Sequence, residues 1–429
     1  MNKNLLRTLK FIALILPLLF LCIVAQEYLF DYRNYDTVRI ERFYEEEEDS
    51  LDVVIIGASE IFTGFAPGYA YDKYGFTSYM YAMDANQGSL YLSQLKEVQK
   101  HQSPEILMVD LYGFLRADDT MLFDEARLRL YVESIPLSVN KVETVMDHPC
   151  EEKLSYFLPL IMYHGDPSIA FGRLSGTYHA LTKEAEPSSL KGSLTRTMVY
   201  TGAGDPGEAF DPATYKLTDQ SKALLVEFLE YCKNNNLNVV FTNFPRNLAN
   251  EDNHSLLFLL NQATEIVETY GYPIWNLQDE MDVIGIDRSQ DYYNEHHLNI
   301  YGQIKLTDYL GGRIMTECGL TPRVQTERNK QEWDVCATNT QAYIKMATDV
   351  LATGTDMVIY EGEKDWMYRK KCNIKVPPNW VGLLNFSVQT DFGTVLRRSR
   401  VFQATAHEYL APKCGRPASP ESNQLPEWC

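Results

Sequence analysis

Positive charge is what this 429-residue chain has too little of: 39 Lys+Arg stand against 58 Asp+Glu, a formal net charge of −19. A nucleic-acid binder needs a basic surface to meet phosphates, so that class is excluded. Zinc-site spacing is also missing. None of the eight cysteines falls in a CxxC pair or a His/Cys cluster, so neither a metal nor another cofactor is expected. Seven of the eight, Cys150, Cys232, Cys318, Cys336, Cys372, Cys414 and Cys429, lie past the N-terminal segment. An odd number leaves at least one unpaired, or joined to another chain, if the others form disulfides.

Long apolar runs are scarce. The main one is Phe11 to Ala25, preceded by Lys3, Arg7 and Lys10. Alone it falls short of the about 20 residues that span a bilayer, but Leu5, Leu6, Leu9, Tyr28, Leu29 and Phe30 extend it while the basic heads snorkel. A cleaved signal peptide is the rival reading. The small residues such a site needs are missing, since Ile23 and Ala25 precede Gln26, and Leu21 before Cys22 argues against a lipoprotein. Residues 1–30 are therefore expected to be a single-pass signal-anchor, with the N-terminus cytoplasmic and the rest extracytoplasmic.

What is present is enough apolar residue for a core: 45% of the chain, more than a disordered protein carries. The charge is uneven. Residues 320–429 hold 14 Lys+Arg and 12 Asp+Glu, so the acidity belongs to residues 1–319. Four regions are expected: the anchor, an acidic solvated spacer over 31–50 (Glu45 to Asp49), an α/β domain over 51–320, and an extension over 321–429. The extension reads as an irregular segment packed on the main domain, or as a small accessory domain stapled by disulfides among Cys336, Cys372, Cys414 and Cys429.

Within 51–320 short buried-type strands alternate with helices. Residues 51–56, 106–111, 239–244 and 272–277 read as strands. Residues 89–100, 217–233, 253–270 and 300–317 read as helices, followed in the extension by a helix near 331–352 and a strand at 357–360. This rhythm predicts a parallel sheet covered on both faces, with the ligand at the carboxyl ends of its strands. After the first strand stands Gly57-Ala58-Ser59, a turn that can present a hydroxyl or simply cap a helix. Late in the domain, Asn294-Glu295-His296-His297-Leu298-Asn299 precedes the closing helix. A histidine there is placed to act as base for Ser59 and then as acid for a leaving group.

The ordered pair, Gly57-Ala58-Ser59 with a late His297-Leu298-Asn299 before Gly302, resembles the SGNH/GDSL hydrolase superfamily. Over roughly residues 1–320 it is most similar to the membrane-anchored D-alanyl-lipoteichoic-acid biosynthesis (DltD-like) and polysaccharide O-acetylation proteins. The segment Tyr156 to His164 resembles a stretch found in bacterial members of that group. The resemblance implies a three-layer, flavodoxin-like α/β fold. It implies an O-acyltransferase or esterase that acts on cell-envelope polysaccharide or teichoic acid through a Ser59 acyl-enzyme, with a membrane-bound O-acyltransferase as partner. Ser59 would be the nucleophile and His297 its base. The backbone N–H of Ser59 would supply one oxyanion donor. Gln87 is the first candidate for another, with Asn86 and Gly88 behind it, although Asn86-Gln87-Gly88 serves equally well to open the next helix. His164 could line the substrate groove or be structural, and Asn243 could supply a further amide. One departure stands out: the family's Asp three residues before the histidine is Asn294 here. Asp291 or Glu295 could replace it, or the site could run as a Ser–His dyad. Without the acid, a non-catalytic accessory protein of the same fold is the alternative.

Overall fold

Short runs of apolar residues, each ending at a turn, build the central sheet of this chain. In the computed structural model, which describes residues 3–29, 35–158, 161–162, 190–351, 358–360, 384–390 and 393–399, the strands before residue 320 are β1 (Val53–Gly57), β2 (Ser78–Ala82), β3 (Ile106–Asp110), β4 (Leu194–Arg196), β5 (Val239–Asn243) and β6 (Ile274–Asn276). All but β4 form one parallel sheet in the order β2-β1-β3-β5-β6. Four of these five were legible as apolar runs. β2 was not, because its Ser-Tyr-Met-Tyr-Ala sequence has no aliphatic stretch, yet every residue of it is buried.

Strand side chains alternate between two cores, as the two-residue repeat of a strand requires. Val54, Ile56, Tyr79, Tyr81, Leu107 and Val109 join one cluster with helices α2 (Tyr35–Phe43), α5 (Gly88–His101), α8 (Asp219–Asn234) and α9 (Ser255–Thr269). Val53, Ile55, Met80, Ile106 and Met108 join the other, with α3 (Ser59–Gly64), α4 (Pro67–Tyr74) and α11 (Ile300–Glu317). Helices thus cover both faces in a three-layer α/β arrangement. Helices α6 (Glu125–Ser134) and α7 (Val139–Asp147) join the first core beside α2 and α5, and the short α10 (Met281–Ile284) precedes α11. Local chemistry sets the helix ends. Thr218 accepts from Ser221 N at the start of α8, while Pro67 opens α4 and Gly75, at φ +79°, closes it.

Two sequence expectations are corrected. Residues 35–50 are not a solvated spacer: Val38, Ile40 and Phe43 are buried in the first core, and Glu46 is buried in an ion pair with Lys191 at 2.7 Å. Apolar side chains at helical spacing outweigh the acidic run. The second concerns the irregular extension past 320. Helix α12 (Glu327–Leu351) packs on α4 and buries Trp333 fully. Where a loop-rich tail is expected, β8 (Leu384–Thr390) and β9 (Gly393–Ser399) pair antiparallel, and β7 (Val358–Tyr360) joins them to β4. Their apolar residues alternate with polar ones, as in Leu384-Asn385-Phe386-Ser387-Val388.

At the N-terminus, α1 (Lys3–Leu29) is a continuous helix with Phe11, Leu14, Leu16, Leu18, Phe20 and Leu21 exposed. Among the described residues, no helix is long and apolar enough to cross a membrane; the side chains of residues 23–29 are outside that set. Of the cysteines expected to staple the tail, only Cys336 is described, and it is buried.

Candidate active site

The order of strand placement reverses at β1: β2 lies on one side of it and β3 on the other, all parallel. In such sheets the crevice opens at that reversal, beyond the carboxyl ends of the strands. Ser59 stands there as the first residue of α3, two residues past β1. Gly57 makes the tight turn possible, because a Cβ on it would lie 2.8 Å from Asp110 Cβ and closer still to Ile61.

The opposite wall is the loop before α11. It is cinched by a bridge between Tyr292 and Leu298 and by a hydrogen bond from Tyr293 N to His297 O at 3.0 Å. Asn299 caps α11 by accepting from Tyr301 N. Its amide donates to Gln290 O at 2.6 Å and to Met198 O at 3.1 Å, so it anchors the loop and leaves the chemistry to others. Gly302 lets the helix approach the loop, since a Cβ would sit 2.5 Å from Asp291 O. The His-Leu-Asn-x-x-Gly pattern is thereby a holder for one side chain.

That side chain is His297, whose Nε2 lies 2.7 Å from Ser59 Oγ. On its other side, Nδ1 lies 3.0 Å from Asn294 Oδ1, which also accepts the backbone N–H groups of His296 and His297 at 2.9 Å each. An oxygen already receiving two N–H groups must accept from the ring as well, so Nδ1 carries the proton and Nε2 is free to accept from Ser59. Residues 238 positions apart thus form a Ser–His–Asn relay.

No family model matches the chain, and no curated protein matches it. Among solved structures, it is similar to a crystal structure described as that of a GDSL-like lipase from Parabacteroides merdae. The match has 11% identity and a TM-score of 0.29, and covers 64% of this chain and 99% of that one. A TM-score of that size carries no weight beside the site's own geometry.

Three cationic or protonatable groups act on the histidine of the pair. Burial holds His297 well below its ordinary value, and Arg246, His296 and Arg196 push in the same direction. Tyr293 stacks on the imidazole at 5.3 Å between ring centres, with the Arg196 guanidinium 4.7 Å above the tyrosine's ring. Arg246 comes from the loop after β5 and reaches Glu60, the residue after Ser59, in an ion pair. Its Nη1 is 3.4 Å from His296 Nδ1, and its guanidinium lies 4.2 Å above Tyr112. Arg116 covers Tyr112 too, at 4.5 Å.

The other sequence candidates lie elsewhere. Asp291 does not stand behind the imidazole. Its Oδ2 accepts from Lys305 Nζ at 2.6 Å and from Asp287 N at 2.7 Å, so the expectation that it replaces the missing acid is corrected. Glu295 neighbours His296 instead, at 3.7 Å. The side chains of Asn86 and Gln87 are likewise turned away from an oxyanion. Asn86 donates to Gly57 O and Gln94 Oε1, both at 2.9 Å. Gln87 donates to Asp124 O at 3.3 Å and to His148 Nε2 at 3.1 Å. Both amides tie the β2–α5 loop to its surroundings. Gly88 begins α5, packed so closely that a Cβ would meet Phe114. Asn243 donates to Asn276 at 3.2 Å. Near the same edge, Asp110 accepts from Tyr112 N at 3.1 Å and Phe244 N at 3.4 Å, while Arg116 donates to Tyr112 O and Leu115 O. His164 lies outside the described residues.

Arg246, Glu60, Arg196 and Tyr293 were missed as site residues. A Phe-Pro-Arg-Asn turn after a strand was the only available signal for Arg246, and it is an ordinary one.

Proposed function

We propose that this protein is a serine esterase or O-acyltransferase of SGNH type, working through an acyl-enzyme on Ser59. The observation that carries the reading is the 2.7 Å contact between His297 Nε2 and Ser59 Oγ at the carboxyl edge of a parallel sheet. In that arrangement the imidazole takes the hydroxyl proton as the oxygen attacks an ester carbonyl, then returns it to the leaving oxygen. The sequence resemblance supports cell-envelope polysaccharide or teichoic acid as acceptor. The basic residues ahead of the apolar stretch of α1 support a membrane-held ectodomain, and the resemblance supports a membrane-bound O-acyltransferase as the partner that feeds it. Transfer and hydrolysis share their first half-reaction and differ in whether a sugar hydroxyl or water reaches the acyl-enzyme.

A second reading rests on Asn294: an amide where a carboxylate normally stabilises the imidazolium fits an accessory protein that binds envelope glycan without turning it over. Labelling the purified chain with a fluorophosphonate probe separates the two. The enzyme reading expects wild type to label and Ser59→Ala not to. Absence of both labelling and esterase activity in folded wild type would leave the accessory reading in its place.

A further inference from the structure

An acyl transfer needs a donor for the negative charge that builds on the carbonyl oxygen, and the side-chain amides expected to supply it are occupied. Both amide groups of the β2–α5 loop are spent on neighbouring backbone and side chains, and Asn243 is turned to Asn276. A different group links the residue after the nucleophile to the residue before the base. The Arg246 guanidinium touches Glu60, adjacent to Ser59 in sequence, and His296, adjacent to His297. Its backbone is clamped from both sides: Gln278 Oε1 accepts from Arg246 N at 2.8 Å, and Gln278 Nε2 donates to Arg246 O at 3.2 Å. The next residue, Asn247, donates its N–H to Glu295 O at 3.0 Å, which fastens the arginine loop to the histidine loop.

We propose that Arg246 is a catalytic residue of the Ser59–His297 site, held by Glu60 and Gln278 so that its guanidinium stabilises the oxyanion formed on the acyl carbonyl. This rests on the esterase or transferase reading above. The step balances without a co-reactant. A bond forms between Ser59 Oγ and the acyl carbon, the hydroxyl proton passes to His297 Nε2, and the carbonyl π pair comes to rest on oxygen. As that pair re-forms the double bond, the bond to the leaving oxygen breaks and this oxygen takes the proton from Nε2.

The charge pattern fits the role. The charged groups that shift His297 are Arg246 from the β5 loop, Arg196 from β4, and His296 from its own loop; Tyr293 and Asn294 beside it are neutral. The carboxylates nearby face these groups, Glu60 against Arg246, and Asp205 and Glu295 against His296. Burial lowers Arg246 to about 9, which still leaves it charged at neutral pH. Before substrate binds, burial first and this field with it keep His297 unprotonated and able to act as base. An imidazolium forming alone would be disfavoured there, but one forming together with an oxyanion is not, because the new negative charge lies among the same cations. The arginine therefore favours the charge-separated state over the resting one.

The full-length chain in detergent is assayed with p-nitrophenyl acetate and a fluorophosphonate over a pH series, comparing wild type with Ser59→Ala, Arg246→Met and Arg246→Lys. Arg246→Met is expected to lose ~100-fold in kcat with little change in KM, and its acid limb is expected to move to higher pH as a cation leaves His297. Arg246→Lys keeps the charge but lacks the planar fork, so it should hold the wild-type limb while losing ~10-fold in kcat. This variant decides the matter if the methionine one does not fold. Active wild type with either folded Arg246 variant within ~3-fold in kcat and an unmoved limb overturns the arginine's role and leaves Ser59 standing. Folded wild type that neither labels nor turns over overturns the underlying reading instead.

Discussion

Asn294 Oδ1 stands 3.0 Å from His297 Nδ1, filling with a neutral amide the place where a carboxylate would hold the imidazole. The geometry of a triad is kept while its charge is absent. Asn294→Asp should preserve the contact and stabilise the imidazolium. Esterase kcat is expected to rise at least ~10-fold at pH 8, with the acid limb displaced upward. No gain in a correctly folded variant would show that the missing carboxylate does not limit the rate.

Wild-type activity should persist to unusually low pH. Because burial, Arg246, His296 and Arg196 lower His297, the base stays neutral below the ordinary value of about 6.5. A plot of kcat/KM against pH should stay flat from neutrality through the ordinary histidine value and fall only below it. A limb centred at or above the ordinary histidine value would contradict the cationic environment.

Asp110 gives stability a pH dependence of its own. Burial raises its carboxyl to about 7 at the end of β3, from the ordinary aspartate value of 3.8. A folded value above the unfolded one means the native state binds the proton more tightly. The stabilisation is complete below 3.8 and is lost as pH rises through about 7. Thermal melts of wild type should drop between pH 5.5 and 8.5 by ~5 °C more than those of Asp110→Asn, which has no proton to lose. Equal drops would show that Asp110 does not carry the dependence.

Lys191 joins three parts of the sequence. Its Nζ lies 2.7 Å from Glu46 in the acidic run and 4.7 Å from the ring of Trp333 beyond residue 320. Lys191→Ala leaves Glu46 buried without that partner and should cost ~3–5 kcal/mol in denaturant unfolding. The Glu46→Gln/Lys191→Met double variant should recover part of it. An effect below ~1 kcal/mol for the single variant would mean that residues 35–50 are only loosely held.

Much of this was open to a reading of the sequence. Strands β1, β3, β5 and β6 announce themselves as apolar runs closed by turns, because a strand buried on both faces needs apolar residues at consecutive positions. Helix α11 shows its cap, Asn299, and its spacing. Ser59 and His297 stand out because each directly follows or precedes such an element. Strand β2 hid its burial in two tyrosines and a methionine, and α2 hid three core residues among charges that are buried or paired in the fold.

The sequence by itself determined the period of each element, the turns that end them, and the two residues able to exchange a proton. Those properties depend on neighbours within a few positions. Tertiary structure decided which loops share the carboxyl edge of the sheet: strand order brings residues 59, 246 and 297 together and turns Gln87 and Asp291 elsewhere. It also decided the charge felt by His297, because an electrostatic field sums over every group nearby in space, whatever its distance along the chain.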